Sequence, residues 1–388
     1  MRKGLGSGLG ELVFYLTLAL LFIGSVNIFS SSFVMASQQF NNSYHFLIRH
    51  VVSIIVGGCV AFLLYRMDYR RIIRALPMVL GIIILLLIGV LLFGIVVNGA
   101  RRWIGPILGF QLQPSEFAKL VVILLGAWYS ALCQKQGRTP TVFYWPTAIV
   151  LVLFGLIYKQ PDFGTAALMF GFFLLTLILG GLSWKEIAAG GAVSLGGLAV
   201  IAIQAPYRLA RLSHWWDPWE AQTTGGYQAV QSFLAIGSGG WHGMGGGQGI
   251  SKFYYLPEAH TDFAFAVFAQ EWGFLGVSFV FLLFFLFLIV GMRIAWNAKD
   301  FFGTCLASGL TLFIVLQAFG NAMMISGLLP VTGIPMPFFS YGGTFMLTNL
   351  IALGLLFSVF RVSHVEEGSS TERPRVKKRM EVDYEEGK

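Results

Sequence analysis

The sequence predicts an all-α polytopic integral membrane protein with about ten transmembrane helices. Of its 388 residues, 56% are hydrophobic and 11% are charged, whereas a soluble domain is about half apolar and about a quarter charged. Apolar runs of about 18 residues or more recur along the whole chain, and each is long enough to cross ~30 Å of hydrocarbon. Many basic residues lie in short segments beside these runs, so the net charge of +8 does not indicate a nucleic-acid partner.

The apolar runs are taken as spans in chain order. They cover roughly residues 11–33, 46–65, 76–97, 115–133, 142–158, 163–181, 186–204, 263–292, 303–327 and 338–361. The first is longer than the apolar region of a usual signal peptide, which favours an uncleaved anchor. Residues 1–362 therefore form a transmembrane domain. Residues 363–388 are charged, lack an apolar pattern and are expected to form a disordered cytoplasmic tail.

Basic residues orient the spans. With a cytoplasmic N-terminus, eighteen of the 26 Lys and Arg residues lie in cytoplasmic loops and tails, and eight lie at outer ends. This bias predicts that both termini are cytoplasmic. One outer connection, about residues 205–262 between the seventh and eighth spans, is unusually long, and it is rich in tryptophan with an amphipathic stretch near Tyr227. We expect it to lie at the membrane interface.

Charged residues inside spans are costly and therefore indicate function. Glu116 and Lys119 stand three residues apart at the outer start of the fourth span, so they share a helix face and can neutralise each other. A purely structural ion pair explains them equally well. Asp162 follows Pro161 at a break between spans, where a carboxylate suits a helix N-cap with or without a further role.

Arg101 and Arg102 lie in the outer loop between the third and fourth spans, against the charge bias. Anionic lipid headgroups account for them. A diphosphate, whose oxygens match the guanidinium fork, accounts for them as well. These residues by themselves leave both explanations open.

Two further motifs lie in the long outer connection. The glycine-rich segment 237–249 lacks the spacing of a phosphate-binding loop, which excludes a nucleotide site. Its backbone N–H groups can still approach an anion closely, although simple flexibility explains the glycines too. Near the eighth span, Glu258, His260 and Asp262 can supply a general base or a metal ligand. The residues alone thus predict a polar outer site with Asp262 as its acid–base group, and they do not identify a substrate.

Seven motifs in order resemble those of the SEDS family (shape, elongation, division and sporulation proteins). They are residues 98–103, 113–119, 160–165, 226–232, 237–249, 257–263 and 335–343. The first and sixth are most similar to the division members, while an elongation or sporulation role stays open. The sequence departs from the family pattern at Gln270, where glutamate is usual, and at Thr344-Phe345, where two serines are usual.

The resemblance implies a peptidoglycan glycosyltransferase that polymerises lipid II at the outer face of the cytoplasmic membrane and releases undecaprenyl diphosphate. Asp262 matches the family's essential aspartate and would act as the general base. The implied substrate and diphosphate contacts are Arg101, Arg102, Glu116, Lys119, Asp162, Gln228, Glu258, His260 and Ser340.

The resemblance also implies partners. They are a class B penicillin-binding protein that supplies the transpeptidase, other membrane proteins of the divisome, lipid II and membrane lipids. No metal ligand set is indicated, and a divalent cation such as Mg or Mn stays an option for stabilising the diphosphate. A lipid II flippase or a non-catalytic division scaffold is the alternative function. A flippase needs polar access from both leaflets, whereas these motifs collect at the outer ends of the spans.

Overall fold

The computed structural model describes residues 3–385 except 98, 108–109, 204–209, 211–212 and 254. Asn98 of the first motif and parts of the long outer connection therefore lie outside the described residues. The helices are α1 Lys3–Phe40, α2 His45–Arg66, α3 Ile72–Phe93, α4 Pro114–Lys135, α5 Trp145–Tyr158, α6 Phe163–Leu179, α7 Trp184–Ile203, α8 Tyr227–Gly239, α9 Ala264–Trp296, α10 Phe301–Ile325 and α11 Gly343–Glu385. The strands are β1 Ile95–Val97, β2 Ala100–Ile107 and β3 Phe110–Leu112.

The helices confirm a polytopic membrane protein. Among the described residues, seven helices are long and apolar enough to cross a membrane: α1, α2, α3 with the turn before it, α4, α9, α10 and the Gly343–His364 part of α11. Helices α5 and α6 are apolar but shorter, at 14 and 17 residues. Helix α7 occupies the predicted seventh span. The total of ten spans and their orientation stay predictions.

Helices α4 and α10 form the centre of the bundle. In their most apolar stretches 83% and 78% of the residues are buried, against 17% for α2. Helix α4 packs on α3, α6 and α10, while α10 also packs on α9. Polar side chains on α4 and α10 therefore contact other protein residues and not lipid.

The loop between α3 and α4, which is predicted to lie on the outer side, contains a small sheet within the otherwise helical fold. It folds into an antiparallel sheet in which the central strand β2 pairs with both neighbours. Val96 pairs with Arg101, and Ile104 pairs with Leu112. Isoleucine, valine and tryptophan favour extended backbone, and the short sheet satisfies the main-chain hydrogen bonds of a segment outside the helices.

Helix α11 runs past the expected start of the disordered tail. Its backbone is helical to Glu385, although its candidate membrane span ends at His364. Glutamate, lysine and arginine are strong helix formers and are frequent after Val362. The division into a membrane domain and a cytoplasmic tail stays a prediction.

Helix α9 is broken at Gly273, where the sequence predicts an uninterrupted span. Gly273 has φ 63° and ψ −165°, a conformation that requires glycine. The glycine-rich segment fills the break: Phe274 N donates to Gly240 O at 2.9 Å, and Met244 N donates to Gln270 O at 3.0 Å. The interrupted helix therefore keeps its main-chain groups satisfied by protein, as a break near a membrane requires.

Candidate active site

Segments far apart in the chain meet at one end of the bundle. Tyr341 N donates to His260 O at 2.9 Å, which joins the α10–α11 connection to the loop before α9. Gln113 Nε2 donates to Asp162 Oδ2 at 3.2 Å, which joins the starts of α4 and α6. The charges of Glu116, Asp162, Glu258 and Arg102 all act on Asp262. This polar cluster is called the cleft, and the charge bias of the sequence predicts that it lies at the outer face.

Asp262 lies in this cleft, just before α9, with part of its surface accessible. Burial raises the pKa of its carboxyl to about 7, and the negative charges of Glu258, Asp162 and Glu116 raise it further, while Arg102 opposes the shift. A carboxyl with a pKa near neutrality can accept a proton from a substrate and later release it, which is the property of a general base.

The predicted Glu116–Lys119 ion pair is confirmed. Lys119 Nζ lies 2.8 Å from Glu116 Oε2, and both side chains are almost fully buried. The ammonium also donates to Gln317 Oε1 at 2.8 Å and lies 5.5 Å from the centroid of the Phe345 ring. The charge criterion selects only ionisable residues inside the spans and therefore predicts no role for Gln317. An uncharged polar residue in the apolar run 303–327 is the available signal.

Asp162 has the predicted capping role and two further contacts. Its Oδ1 accepts a hydrogen bond from Thr165 N at 3.3 Å, which caps α6. Its Oδ2 accepts from Gln113, and Arg102 Nη1 lies 3.8 Å from Oδ1. Thr344 holds this corner in place, because its hydroxyl accepts from Gln113 N at 3.2 Å and donates to the main chain of β3. The threonine thus retains the hydroxyl of the usual serine.

The two arginines differ. Arg102 donates through Nη2 to Pro161 O and faces Asp162, so its guanidinium lies at the cleft. Arg101 is exposed, and its nearest hydrogen bond is a long one of 3.5 Å to Leu91 O. Strand β2 explains the difference, because neighbouring side chains point to opposite faces of a sheet.

His260 and Glu258 flank Asp262 on its own loop. The His260 ring packs against Phe46, with the ring centroids 4.7 Å apart, and burial lowers its pKa. It is therefore a neutral imidazole at neutral pH. Glu258 Oε2 accepts a hydrogen bond from Thr261 Oγ1 at 2.6 Å. Of the two, Glu258 acts on Asp262 through its negative charge, which raises the pKa of Asp262.

The structure connects neither Ser340 nor Gln228 to the acidic cluster. Ser340 is buried, and its hydroxyl accepts from Met336 N at 2.8 Å, which closes a turn before α11. Gln228 is half-buried on the first turn of α8. Within the part of the chain that is described, it forms no hydrogen bond to another candidate residue. Their substrate contacts stay predictions without geometric support.

The glycine-rich segment does bind an anion, but the anion is a side chain of this protein. Gly247 N donates to Glu271 Oε2 at 3.0 Å, and Gly249 N donates to Glu271 Oε1 at 3.3 Å. Lys252 Nζ lies 2.7 Å from the same carboxylate. The segment therefore has a structural role, because it binds the Glu271 carboxylate.

Several buried polar atoms of the cleft have no hydrogen-bond partner among the described residues. They are Ser115 Oγ, Arg102 Nε, His260 Nδ1 and Asn321 Oδ1. No group of three His, Cys, Asp or Glu side chains in the described ranges is arranged to hold a metal ion. Buried polar groups are normally paired, so the unpaired atoms near Asp262 are available to bind a ligand; unpaired atoms also occur away from Asp262, for example at His50 and Asn349.

Comparisons with known proteins agree on one family. The FtsW/RodA/SpoVE family model, described as "cell cycle protein", matches residues 11–365. The chain is 38% identical to stage V sporulation protein E of Bacillus subtilis over 360 residues, covering 91% of this chain and 97% of that protein. It is 39% identical over 352 residues to a probable peptidoglycan glycosyltransferase FtsW of Legionella pneumophila, covering 88% of each chain.

Solved structures have the same fold. A chain of a peptidoglycan synthase complex that coordinates polymerization and crosslinking matches with a TM-score of 0.73 and 28% identity, covering 91% of this chain and 97% of that one. The rod shape determining protein RodA of Thermus thermophilus matches with a TM-score of 0.65 and 28% identity, covering 91% and 96%.

Proposed function

Because the chain belongs to the FtsW/RodA/SpoVE family of cell cycle proteins, we propose that it polymerises lipid II into glycan strands, with Asp262 as general base. It is a multi-pass membrane protein and a peptidoglycan glycosyltransferase. The observation that carries the assignment of the base is the position of Asp262, which lies partly exposed beside Arg102 and three carboxylates, where burial raises its pKa to about 7. The names of these relatives favour an enzyme over a flippase or a scaffold.

Asp262 takes the proton of the acceptor's sugar hydroxyl. As the O–H bond breaks, the hydroxyl oxygen attacks the anomeric carbon of the donor, and the bond from that carbon to the diphosphate oxygen breaks. The diphosphate leaves with the bonding electrons on undecaprenyl diphosphate, and the protonated Asp262 releases its proton to water. A pKa of about 7 suits both halves of this cycle.

Lys119 and Arg102 stabilise the leaving diphosphate. Lys119 has three N–H groups; two point to Glu116 and Gln317, and no third hydrogen-bond acceptor lies among the described residues. Arg102 has a buried Nε without a partner in the described ranges. Hydrogen bonds from cations to phosphate oxygens are strong, and they strengthen as charge builds on the leaving group.

A penicillin-binding protein is the partner that fits this function. The similar solved chain belongs to a complex that coordinates polymerization with crosslinking. By that likeness the present chain supplies polymerization, and a class B penicillin-binding protein supplies the transpeptidase. We extend the proposal to other divisome membrane proteins and to the division site, since the motifs at 98–103 and 257–263 resemble those of division members.

The decisive experiment is polymerisation of purified lipid II, with the partner present, by the wild type and by Asp262→Asn. Loss of a general base lowers the rate by at least ~100-fold, while membrane insertion and partner binding survive. Asp217→Asn is a matched control, because Asp217 is an exposed carboxylate elsewhere in the outer connection. A folded Asp262→Asn protein that polymerises at a near-normal rate would refute the assignment.

A further inference from the structure

We propose that Asn321 and Gly333 position the Asp262 carboxylate. Asn321 holds the main-chain carbonyl of Asp262, and Gly333 lies beside its Oδ2 atom. The proposal rests on the proposed role of Asp262 as base. Neither residue touches substrate in this proposal. Both act through the orientation of the base.

Asn321 ties two connections together beneath the cleft. It is fully buried on α10, and its Nδ2 donates at 2.7 Å to Asp262 O and at 2.7 Å to Ile334 O. One amide nitrogen carries two hydrogens, so both are used. The loop before α9 and the connection after α10 are thereby held at a common distance from one rigid helix.

Gly333 closes the other side. Its φ is +72°, which favours glycine, and a Cβ atom at this position would lie 3.2 Å from Asp262 Oδ2. The neighbouring residue Thr332 lies close to the start of α6, since a Cβ atom added to Gly164 would lie 2.9 Å from Thr332 O. The connection after α10 therefore fits between the start of α6 and the Asp262 carboxylate, and a methyl group would displace or desolvate that carboxylate.

The rest of the environment of Asp262 is electrostatic. The charged groups that face it are Glu258 on its own loop, Asp162 at the start of α6, Glu116 on α4 and Arg102 on β2. Three of these four are acidic and repel the carboxylate, so they cannot hold it in one orientation. Arg102 is the attractive charge among the four. Asn321 fixes the main chain of Asp262, and Gly333 leaves room beside its Oδ2. A misplacement of about 1 Å can cost ~100-fold in rate.

The test uses the full chain with its partner and lipid II, comparing Asn321→Ala and Gly333→Ala with the wild type across pH and lipid II concentration. We expect kcat to fall by roughly ten- to a hundredfold with KM nearly unchanged. For Gly333→Ala we also expect the acid limb of the pH profile to move to higher pH, because the methyl group removes water from Oδ2. Activity is expressed per folded molecule, measured by size-exclusion chromatography.

Two residues provide matched controls. Asn349 is a buried asparagine whose Nδ2 donates to Phe345 O at 2.8 Å and whose Oδ1 is unpaired among the described residues, but it does not contact Asp262. Gly181 has φ +91°, and a Cβ atom added there would meet no other atom within 4 Å. Asn349→Ala and Gly181→Ala should lower the folded yield at most, leaving kcat per folded molecule and the pH profile unchanged.

Each outcome is decisive. Wild-type kcat and pH profile in both the Asn321 and the Gly333 variants, with Asp262→Asn inactive, overturn this inference and leave the proposed function intact. A loss that only follows the folded fraction, with an unchanged profile, also overturns it. Should Asn321→Ala fail to fold, Asn321→Ser makes a smaller packing change, and its shorter hydroxyl cannot bridge the two carbonyls, so kcat should still fall. Normal activity of Asp262→Asn would instead overturn the proposed function.

Discussion

Two buried lysine–glutamate pairs stand in the same fold with different surroundings. Lys252 and Glu271 lie 2.7 Å apart, and Lys119 and Glu116 lie 2.8 Å apart. The three N–H groups of Lys252 have three acceptors, Glu271, Ser30 and Gly247 O. The Glu271 carboxylate also accepts from Ser30 and from two backbone N–H groups of the glycine-rich segment.

The second pair is incompletely satisfied. Lys119 has Glu116 and Gln317 as acceptors, and Glu116 Oε2 receives no well-aligned hydrogen bond in the described residues. Burial and distance are nearly equal in the two pairs, so neither distinguishes structure from function. Hydrogen-bond saturation does. The closed network has no unused donor or acceptor, while the open one beside Asp262 has unused polar groups that a diphosphate can complete.

The largest expected effect is on stability at the closed pair. Lys252→Met leaves the Glu271 carboxylate buried without its cation, which costs about 3–5 kcal/mol. Adding Glu271→Gln removes the second charge and should recover much of that loss. Thermal unfolding in detergent micelles measures both. An unchanged unfolding temperature in Lys252→Met would show that the fully hydrogen-bonded pair does not stabilise the fold.

The open pair should respond in activity. In the double variant Glu116→Gln with Lys119→Met both charges are gone, so we expect stability close to that of the wild type. Polymerisation should still fall by roughly ten- to a hundredfold, since a charge-assisted hydrogen bond contributes ~1.5–3 kcal/mol. The lipid II assay and micelle unfolding are run on the same preparation. Wild-type activity and wild-type stability in this double variant would show that the Glu116–Lys119 pair has no role in polymerisation.

The two arginines give a smaller contrast. Lysine keeps the charge but lacks the planar fork, so Arg102→Lys should reduce polymerisation several-fold, on the order of 3–10-fold, and Arg102→Ala by more. Arg101 is exposed and not tied to the cleft, so Arg101→Lys should retain the wild-type rate. Measured initial rates decide between diphosphate and lipid headgroups. Wild-type rates for both lysine variants favour the headgroups.

The smallest effect is a shift along the pH axis. Polymerisation should rise with pH through about 7 as the Asp262 carboxylate forms. Glu258→Gln removes a neighbouring negative charge, so the pKa of Asp262 should fall and the acid limb should move to lower pH. Rates in buffers of equal ionic strength measure the shift. An acid limb that stays in place would mean that Asp262 titration does not control the rate.

Protein stability has the opposite pH dependence at this group. The pKa of Asp262 in the folded protein lies above its ordinary value of 3.8. The native state therefore binds this proton more tightly than the unfolded chain does. The resulting stabilisation is complete below pH 3.8 and is lost as the pH rises through about 7. Activity and stability thus have opposite pH dependences at this residue.

Local chemistry allowed several features to be predicted from the sequence. Membrane spans depend on runs of apolar residues, the Glu116–Lys119 pair on helical spacing, and the Asp162 cap on the break at Pro161. Each depends on neighbours within a few positions, so the order of residues suffices. The same reasoning selected Asp262, because it stands with Glu258 and His260 next to the eighth predicted span, and the resemblance then implied its role.

Tertiary structure decided which of the polar residues act together. Asn321 and Gln317 are four residues apart on α10. Asn321 binds Asp262, which lies 59 positions away in the chain, and Gln317 binds Lys119, which lies 198 positions away. Gly333 is significant only because the connection after α10 folds against the Asp262 carboxylate. The glycine-rich segment contacts Glu271 for the same kind of reason. Long-range packing sets these contacts, and no local spacing in the chain encodes them.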